Sequence, residues 1–174
     1  MSAFLPFPEL KTPRLHLRQP NLNARNQILY LRSDPTVNAY IHRPPERQIR
    51  TKKAAANWIL EMEHLLLNNS AVNWCIDLNS GAKAVGTICL WNFSLDRKQA
   101  ELGYDLGPDH WGNGYMGEAM GAVLHYGYAT LKLRRIEAYT HRENGASRRL
   151  LERNGFELDP GREEGHNVIY QRSF

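Results

Sequence analysis

The order of hydrophobic and polar positions predicts alternating strands and helices along the chain. Leu15 and Leu17 alternate with polar neighbours, a pattern typical of a first strand. Apolar residues then recur at helical spacing over residues 23–33 and, more strongly, over residues 51–67. Two helices are therefore expected before the next strand.

The second half of the chain predicts an antiparallel meander followed by a parallel crossover. The elements predicted here are strands over residues 72–78, 84–91, 100–106, 135–140 and 168–172, and helices over residues 114–131 and 144–154. The first three strands are joined by short turns, which favours antiparallel pairing. A strand, a helix and a strand in sequence then favour a parallel pair. Residues 159–166, with the acidic pair Glu163 and Glu164, are expected to form a connecting loop. This order indicates an α/β or α+β fold around a mixed sheet.

Composition is that of a single-domain globular protein. With 174 residues, 42% hydrophobic and 23% charged, the chain is expected to form one domain, residues 1–174. The longest unbroken aliphatic stretch, Leu65 to Leu67, is far shorter than the about 20 residues of a membrane span, so no membrane partner is expected. Cys75 and Cys89 lack the spacing of a disulfide scaffold or a zinc site. Because the first residues also lack a secretory signal, a cytoplasmic location is expected.

Charge and histidine spacing narrow the class of partner. The formal net charge of +4 suits an anionic partner such as nucleic acid, an acidic membrane or a phosphate-bearing cofactor. The basic residues are scattered rather than clustered, which argues against nucleic acid. The histidines show no metal-binding spacing, so no metal site is expected.

The glycine-rich stretch that precedes the helix over residues 114–131 has the composition of an anion-binding loop. Gly112, Gly114 and Gly117 allow backbone N–H groups to converge at a helix N-terminus, where the partial charge is positive. The alternative is an ordinary helix start with loop glycines. A P-loop is excluded because the sequence lacks its Gly-Lys-Ser/Thr end, and the literal Gly-x-Gly-x-x-Gly pattern lacks the strand context of a dinucleotide-binding fold.

Five motifs, in this order, make the chain resemble the GNAT acyltransferase superfamily, in particular the branch of the ribosomal-protein N-terminal acetyltransferases RimJ and RimL. The motifs are Glu101-Leu102-Gly103-Tyr104-Asp105-Leu106, Trp111-Gly112-Asn113-Gly114-Tyr115, Arg135-Ile136-Glu137-Ala138, Asn144-Gly145-Ala146-Ser147 and Asn154-Gly155-Phe156. The opening Thr12-Pro13-Arg14-Leu15-His16-Leu17-Arg18 is also similar to that branch. The resemblance implies a mostly antiparallel sheet of six to seven strands, helices on both faces and one splayed parallel strand pair.

The resemblance also implies acetyl-CoA as cosubstrate, held where the strand ending at Leu106 splays from the strand over residues 135–140. The residues implied in cofactor binding are Leu106, Trp111, Gly112, Asn113, Gly114, Tyr115, Met116, Gly117 and Asn144. Backbone amides of the loop would bind the diphosphate, and a backbone N–H near Leu106 would face the reacting carbonyl. Trp111 stands where the superfamily has Arg or Gln, and Met116 where it has a small residue. Asn144 is implied to contact the pantetheine arm, although Asn is also a common helix N-cap.

Two catalytic residues are implied by the same alignment. Glu101 matches a frequent general base, with Asp105 as the alternative base on the same strand face. Ser147 matches a serine that protonates the leaving thiolate, although it is also compatible with a surface serine of a first helical turn. The position one turn later, a tyrosine in many superfamily members, is Leu151.

The implied activity is acetyl transfer to a primary amine, with the acceptor left open. A protein N-terminal α-amine is the first hypothesis. A small amine such as a polyamine, an aminoglycoside or an amino acid is the second, and a non-catalytic acyl-CoA-binding module the third. Acceptor contacts are expected from residues 32–50 and 159–166, and a homodimer is compatible with the superfamily.

Overall fold

The computed structural model of the chain describes residues 4–81 and 83–174. Its helices are α1 (Arg25–Ser33), α2 (Lys52–Leu67), α3 (Tyr115–Ala129) and α4 (Gly145–Arg153). Its strands are β1 (Leu10–Lys11), β2 (Leu15–Arg18), β3 (Ala71–Leu78), β4 (Ala84–Trp91), β5 (Gln99–Leu106), β6 (Arg135–His141), β7 (Glu157–Glu164) and β8 (Asn167–Ser173). The predicted order of helices and strands is confirmed, with small shifts at their ends.

The eight strands form a single sheet in the order β1-β2-β3-β4-β5-β6-β8-β7. All neighbours pair antiparallel except β5 and β6, which are parallel and are joined by α3. The predicted fold class, a mixed and mostly antiparallel α/β sheet, is therefore confirmed. The expected six to seven strands are too few, since β1 and β7 were both missed.

The predicted loop over residues 159–166 was wrong, because most of it belongs to β7. That strand pairs with β8, with Glu163 opposite Val168 and Glu164 opposite Asn167. As an edge strand it is exposed at almost every position, so it shows no alternation of apolar and polar residues. Pro160 and Gly161 lie within its register shift, and edge strands tolerate such residues.

The helices cover both faces of the sheet, as expected. On one face the main core includes Trp74 and Ile76 of β3, which pack with residues of α3 and α4. On the other face Cys75 of β3 belongs to a second cluster with residues of α1 and α2. Because neighbouring residues of a strand point to opposite faces, β3 divides the two cores.

The expected splay of the parallel pair is present in the middle of the sheet. The Cα pairing of β5 with β6 ends at Leu102 opposite Ala138, although β5 continues to Leu106 and β6 to His141. Beyond this point the two strands border a gap. The loop before α3 follows β5, and α4 begins just after β6, so both helices begin soon after the strand ends that border this gap.

The end of α4 has the predicted Schellman geometry. Gly155 has a φ of 78°, in the region that favours glycine, and the N–H of Phe156 donates to Leu151 O at 3.1 Å. Phe156 is buried in the main core, which fixes α4 against the sheet. No helix within residues 4–81 and 83–174 has the length and apolar character needed to cross a membrane.

Candidate active site

The loop before α3 presents the backbone of a helix start without a side-chain cap. Gly112 and Gly114 have φ angles of 74° and 76°, where side chains are strained. Gly114 is the N-cap residue, and no side chain in the described ranges caps this end of α3. The first N–H groups of a helix have no partner within the helix, so those of Tyr115, Met116 and Gly117 are available to an anion.

The other predicted loop residues fix the shape of this backbone. The indole Nε1 of Trp111 donates to Leu106 O at 2.8 Å, and Asn113 Nδ2 donates to Trp111 O at 3.0 Å. Met116, which replaces the small residue of the superfamily pattern, is buried in the main core and therefore does not crowd the loop. A Cβ on Gly117 would meet side chains of α4 at ordinary contact distance, the nearest atom lying 3.6 Å away.

Arg14 clamps the loop from outside, a role that the sequence did not reveal. Its Nη1 donates to Asn113 O at 2.9 Å, and its Nε pairs with Glu118 of α3 at 2.6 Å. The backbone N–H of Arg14 donates to the same carboxylate at 2.9 Å, and the guanidinium lies 4.8 Å from the centre of the Tyr115 ring. Hydrogen bonds from Thr12 and Arg14 hold the pKa of Glu118 below its usual value against the effect of burial.

The N–H of Leu106 points into the gap between β5 and β6. The N–H of Gly107 donates to Val85 O of β4 at 2.8 Å. Successive residues of an antiparallel strand point their N–H groups to opposite sides, so that of Leu106 points away from β4. The parallel pairing with β6 has already ended there, which leaves this donor at the place that the resemblance implied.

Three hydroxyl groups meet beside the gap on the α3–α4 face. Ser147 Oγ lies 2.7 Å from Tyr104 Oη and accepts a hydrogen bond from Thr140 Oγ1 at 2.9 Å. Burial raises the pKa of Tyr104 to about 12. Asn144 caps α4 by accepting from the N–H of Ser147 at 3.1 Å, which places the serine in the first turn of that helix. Ser147 was predicted as the acid, whereas Tyr104 and Thr140 were missed.

Glu101 lies on the opposite face of β5, as its strand position predicted. Burial raises its pKa to about 7; a hydrogen bond from Asn92 Nδ2 at 3.4 Å acts in the other direction, and the charges of Glu164 and Glu137 add to the rise. A carboxyl group with a pKa near neutrality is suited to exchange protons at physiological pH.

Asp105, the alternative base, is engaged in structural contacts. Its Oδ1 accepts from Thr87 Oγ1 at 2.7 Å and from the N–H of Thr87 at 3.1 Å. Its Oδ2 pairs with Arg43 at 3.4 Å, and the carboxylate side chain is only 3% exposed. This environment leaves Glu101 as the less constrained of the two carboxylates.

The arrangement can do acyl-transfer chemistry. A carboxyl group suited to accept a proton lies on one face of the split sheet, and a serine hydroxyl lies on the other. A backbone donor points into the gap between them, and an anion-binding helix start lies at its end. No set of three or more His, Cys, Asp or Glu side chains able to hold a metal ion occurs in the described part of the chain.

Comparison with known proteins agrees with this geometry. Residues 14–157 match the model of the acetyltransferase (GNAT) domain, so the chain belongs to that family. It is 32% identical over 150 residues to the uncharacterized N-acetyltransferase p20 of Bacillus licheniformis, covering 86% of this chain and 83% of that protein. It is also 32% identical over 153 residues to the uncharacterized N-acetyltransferase YoaA of Bacillus subtilis, covering 88% and 85%.

Solved structures share the fold over almost the whole chain. A GNAT-family acetyltransferase from Bacillus anthracis superposes with a TM-score of 0.81 at 24% identity, covering 95% of this chain and 98% of that one. RimL, the ribosomal L7/L12 α-N-protein acetyltransferase, in complex with coenzyme A, gives 0.81 at 19% identity, with coverage of 95% and 98%. The acetyltransferase MccE, in complex with acetyl-CoA and AMP, gives 0.80 at 19% identity, with 94% of each chain covered.

The chain is therefore an N-acetyltransferase of the GNAT family, as the motifs implied. RimL and the ribosomal-protein-S5-alanine acetyltransferase from Vibrio fischeri share the fold of this chain, as the resemblance to the RimJ and RimL branch predicts. The individual roles of Glu101, Ser147, Asn144 and the loop residues stay predictions.

Proposed function

We propose that this protein transfers an acetyl group from acetyl-CoA to a protein N-terminal α-amine, by direct attack of the amine. The observation that carries the proposal is the placement of Glu101 and Ser147 on opposite faces of β5, beside the gap between β5 and β6. A base on one side and an acid on the other suit an amine that enters from one face and a thiolate that leaves by the other.

The pKa of Glu101 favours an α-amine over a lysine-type amine. An α-amine has a pKa of about 7.7–8.0 and a lysine-type amine about 10.4, so neutrality at pH 7 costs about 1 kcal/mol for the first and about 4–5 kcal/mol for the second. With a pKa of about 7, Glu101 is well matched to take a proton from an α-amine. It is poorly matched to a lysine or a polyamine.

The residues before and within the first turn of α3 fit the diphosphate of acetyl-CoA. Gly112 and Gly114 hold the loop open by their positive φ angles, and the first N–H groups of α3 point from an uncapped helix end. When bound, acetyl-CoA supplies the acetyl group as an activated thioester. The N–H of Leu106 would donate to the carbonyl oxygen as negative charge develops there, a contribution typically worth about 3–4 kcal/mol.

Ser147 would deliver a proton to the leaving sulfur. Its oxygen can accept from both Tyr104 and Thr140, which leaves its own single proton to be donated elsewhere. Because a thiolate with a pKa of about 8.5 leaves readily, the help required from Ser147 is moderate. Ser147→Ala is therefore expected to retain substantial activity.

The acceptor is tested with peptides and small amines incubated with acetyl-CoA, with acetylation read by mass spectrometry. Peptides with a free α-amine are expected to be acetylated at that amine only. The matched control is the same peptide with a blocked N-terminus and an internal lysine, which is expected to stay unmodified. Faster turnover of a polyamine, an aminoglycoside or a free amino acid would replace the proposal by the small-amine hypothesis. Binding of coenzyme A without transfer to any amine would favour a non-catalytic module.

The role of Glu101 is tested by the pH dependence of kcat/KM. In the unmodified enzyme kcat/KM is expected to rise with pH through an inflection near 7, because only the ionised carboxylate accepts a proton. Glu101→Gln is expected to lower kcat by about 10²–10⁴-fold above pH 7, the usual contribution of a general base. Glu157→Gln, on the exposed edge strand, serves as control. An unchanged pH profile in Glu101→Gln would remove Glu101 from the mechanism.

A further inference from the structure

Two arginines lie on the same side of the sheet as Glu101, near the end of β5 that no longer pairs with β6. Arg32 is in the last turn of α1, and Arg43 lies in the segment between α1 and α2. Arg43 Nη2 lies 3.4 Å from Asp105 Oδ2, and the two side chains are only 13% and 3% exposed. Asp105 lies beyond Leu102, the last residue of β5 that pairs with β6, so this ion pair borders the gap.

The charges of the two guanidinium groups are poorly compensated, since within the described part of the chain the only carboxylate paired with either of them is Asp105, through Arg43. Asp105 already accepts two hydrogen bonds from Thr87, and its contact with Arg43 is long. Arg32 is stacked over the ring of Trp58 at 4.4 Å, which orients the guanidinium and does not neutralise it. Arg32 Nε and Arg43 Nη1 are buried and have no hydrogen-bond partner in the described part of the chain.

Such an arrangement is unfavourable unless a further anion completes it. Burial and the nearby charge of Arg32 lower the pKa of Arg43 to about 10, so it still carries its charge at neutral pH. A partly buried cation with unmet donors costs free energy, and a second buried cation beside it adds to that cost. Carboxylate and phosphate groups match the planar donors of arginine and form short, charge-assisted hydrogen bonds with them.

We propose that Arg32 and Arg43 form a subsite for an anionic group, a carboxylate or a phosphate, on the amine acceptor. This inference rests on the proposed function, because it assigns the acceptor a position on the Glu101 face of the gap. The acceptor would then belong to a defined chemical class, in which one molecule carries both the amine to be acetylated and a separate negatively charged group.

Glu101 and Asp105 mark the two ends of the β5 surface that would face the acceptor. Both residues face the same side of β5, four positions apart, which spans about 13 Å in an extended strand. Gly103 lies between them and has no side chain, and a Cβ there would approach Cys89 Sγ to 3.0 Å. The N–H of Leu106, next to Asp105, would hold the reacting carbonyl, so the acceptor amine must lie at this end of the surface, with its anionic group close by at Arg43 and its proton passing to Glu101 through water.

This geometry fits a peptide with a free α-amine and an acidic or phosphorylated residue at its first or second position. The test uses pairs of peptides that differ at the second residue, Asp against Asn and phosphoserine against serine. Acetylation rates and binding to the protein saturated with coenzyme A are both measured. The anionic member of a pair is expected to have about 10- to 100-fold higher kcat/KM and tighter binding, as one or two charge-assisted hydrogen bonds provide. The two pairs distinguish a carboxylate from a phosphate as the preferred group.

Arg32→Met tests the subsite without leaving Asp105 unpaired. Methionine keeps the contact with Trp58 and removes the charge. The preference for the anionic peptide is expected to fall to about twofold or less, because the KM for that peptide rises. The kcat for the neutral peptide is expected to stay unchanged. Arg43→Met is expected to act in the same way, and its folding is checked by thermal unfolding because Asp105 then loses its partner.

Arg25→Met, on the exposed start of α1, is the matched control for net charge and is expected to keep the preference. The subsite would be overturned if the unmodified protein acetylated and bound both members of each pair equally, or bound neither of them. It would also be overturned if Arg32→Met and Arg25→Met behaved alike. Acetylation of the neutral peptides would in that case leave the proposed function standing, so the two failures are distinguishable.

Discussion

At the scale of single residues, the raised pKa that suits Glu101 to the proposed role of general base also carries a cost in stability. Its partial burial and the neighbouring carboxylates Glu164 and Glu137 raise its pKa from 4.5 to about 7. The folded protein therefore keeps a proton that the unfolded chain releases between these pH values. The resulting contribution favours folding at low pH and is lost as the pH rises through 7.

This linkage predicts that Glu101→Gln stabilises the protein in alkaline solution. Glutamine resembles the protonated acid and does not ionise, so the variant avoids the cost of a partly buried carboxylate. We expect its free energy of unfolding at pH 8 to exceed that of the unmodified protein by about 1–2 kcal/mol, reduced from the full effect because Glu101 is partly exposed to solvent. At pH 5 the two proteins are expected to be nearly equal. Urea titrations at both pH values measure this, and equal stability at pH 8 would contradict the raised pKa.

Tyr104 is expected to position Ser147 rather than to react itself. With its pKa raised to about 12, the phenol stays protonated and is able to donate to Ser147 Oγ, 2.7 Å away. Tyr104→Phe is expected to lower kcat by about 3- to 10-fold, the effect of one hydrogen bond, with the KM for acetyl-CoA unchanged. Steady-state kinetics with acetyl-CoA as the varied substrate separate the two parameters.

The matched control is Tyr126→Phe, because Tyr126 is a buried tyrosine that packs edge-on against Trp74 in the core. This variant is expected to keep its kcat. If Tyr104→Phe lowered only the temperature of unfolding and left kcat unchanged, the contact with Ser147 would be structural.

At the scale of elements, the start of β2 and the first turn of α3 act as one unit. Arg14 and Glu118 are 104 residues apart in the chain, yet their side chains meet, and Arg14 also donates to Asn113 O. The ion pair also offsets the negative charge of Glu118 at a helix end that would bind a diphosphate. The Thr12-Pro13-Arg14 motif thus lies against the loop before α3 and the first turn of that helix.

Arg14→Leu is expected to weaken cofactor binding without changing the chemical step. The loop loses its clamp, and the unpaired Glu118 then repels the diphosphate. We expect the KM for acetyl-CoA and the Kd for coenzyme A to rise about tenfold, as expected for the loss of one charge-assisted contact, with kcat unchanged. Arg18→Leu is the control, since Arg18 of β2 forms an ion pair of the same length, 2.6 Å, with Asp77 of β3. Equal Kd values in the two variants would refute the clamp.

Sequence pattern was a good guide to elements that have one buried side. Alternation predicted β3, β4 and β5 with bounds that the structure reproduces within one residue, because each buries alternate or successive apolar side chains. It could not predict β7, whose residues are exposed on both sides, or β1, which has two residues. Such strands form because a neighbouring strand offers hydrogen bonds, and this information is not local.

The site was predictable in part for a similar reason. The resemblance indicated Glu101, Ser147 and the glycine loop, since each lies in a short motif. The contact of Tyr104 with Ser147 could not be predicted, because it joins residues 43 positions apart. The long-range contacts of Thr140 and Arg14 were hidden for the same reason, because pairing between distant segments leaves no periodic pattern.

At the scale of the whole molecule, the split in the sheet explains why the site lies at its centre. The main core holds β4, β5 and β6 in place, and only the first half of β5 pairs with β6. A ligand in the gap would contact both β5 and the N-terminus of α4, so its binding free energy adds to the stability of the native state. At a coenzyme A concentration of about 100 times Kd this amounts to about 2.7 kcal/mol.

Coenzyme A is therefore expected to raise the temperature of unfolding by about 5–10 °C in a protein of this size. Gly112 and Gly165 offer a matched pair of variants to locate the effect. Both have positive φ angles, 74° and 61°, and a Cβ at either would meet no atom within 4 Å. Alanine at either position is expected to lower the stability by a similar amount, about 1–2 kcal/mol, from backbone strain.

The two variants should differ once coenzyme A is added, because Gly112 lies in the loop before α3 and Gly165 in the turn between β7 and β8. Gly165→Ala is expected to show the full rise in unfolding temperature, and Gly112→Ala a clearly smaller one, since relief of the strain moves the N–H groups that bind the diphosphate. Differential scanning calorimetry over a range of coenzyme A concentrations gives Kd for each variant. Equal rises in both variants would place the diphosphate away from this loop, because a general loss of stability affects both proteins alike.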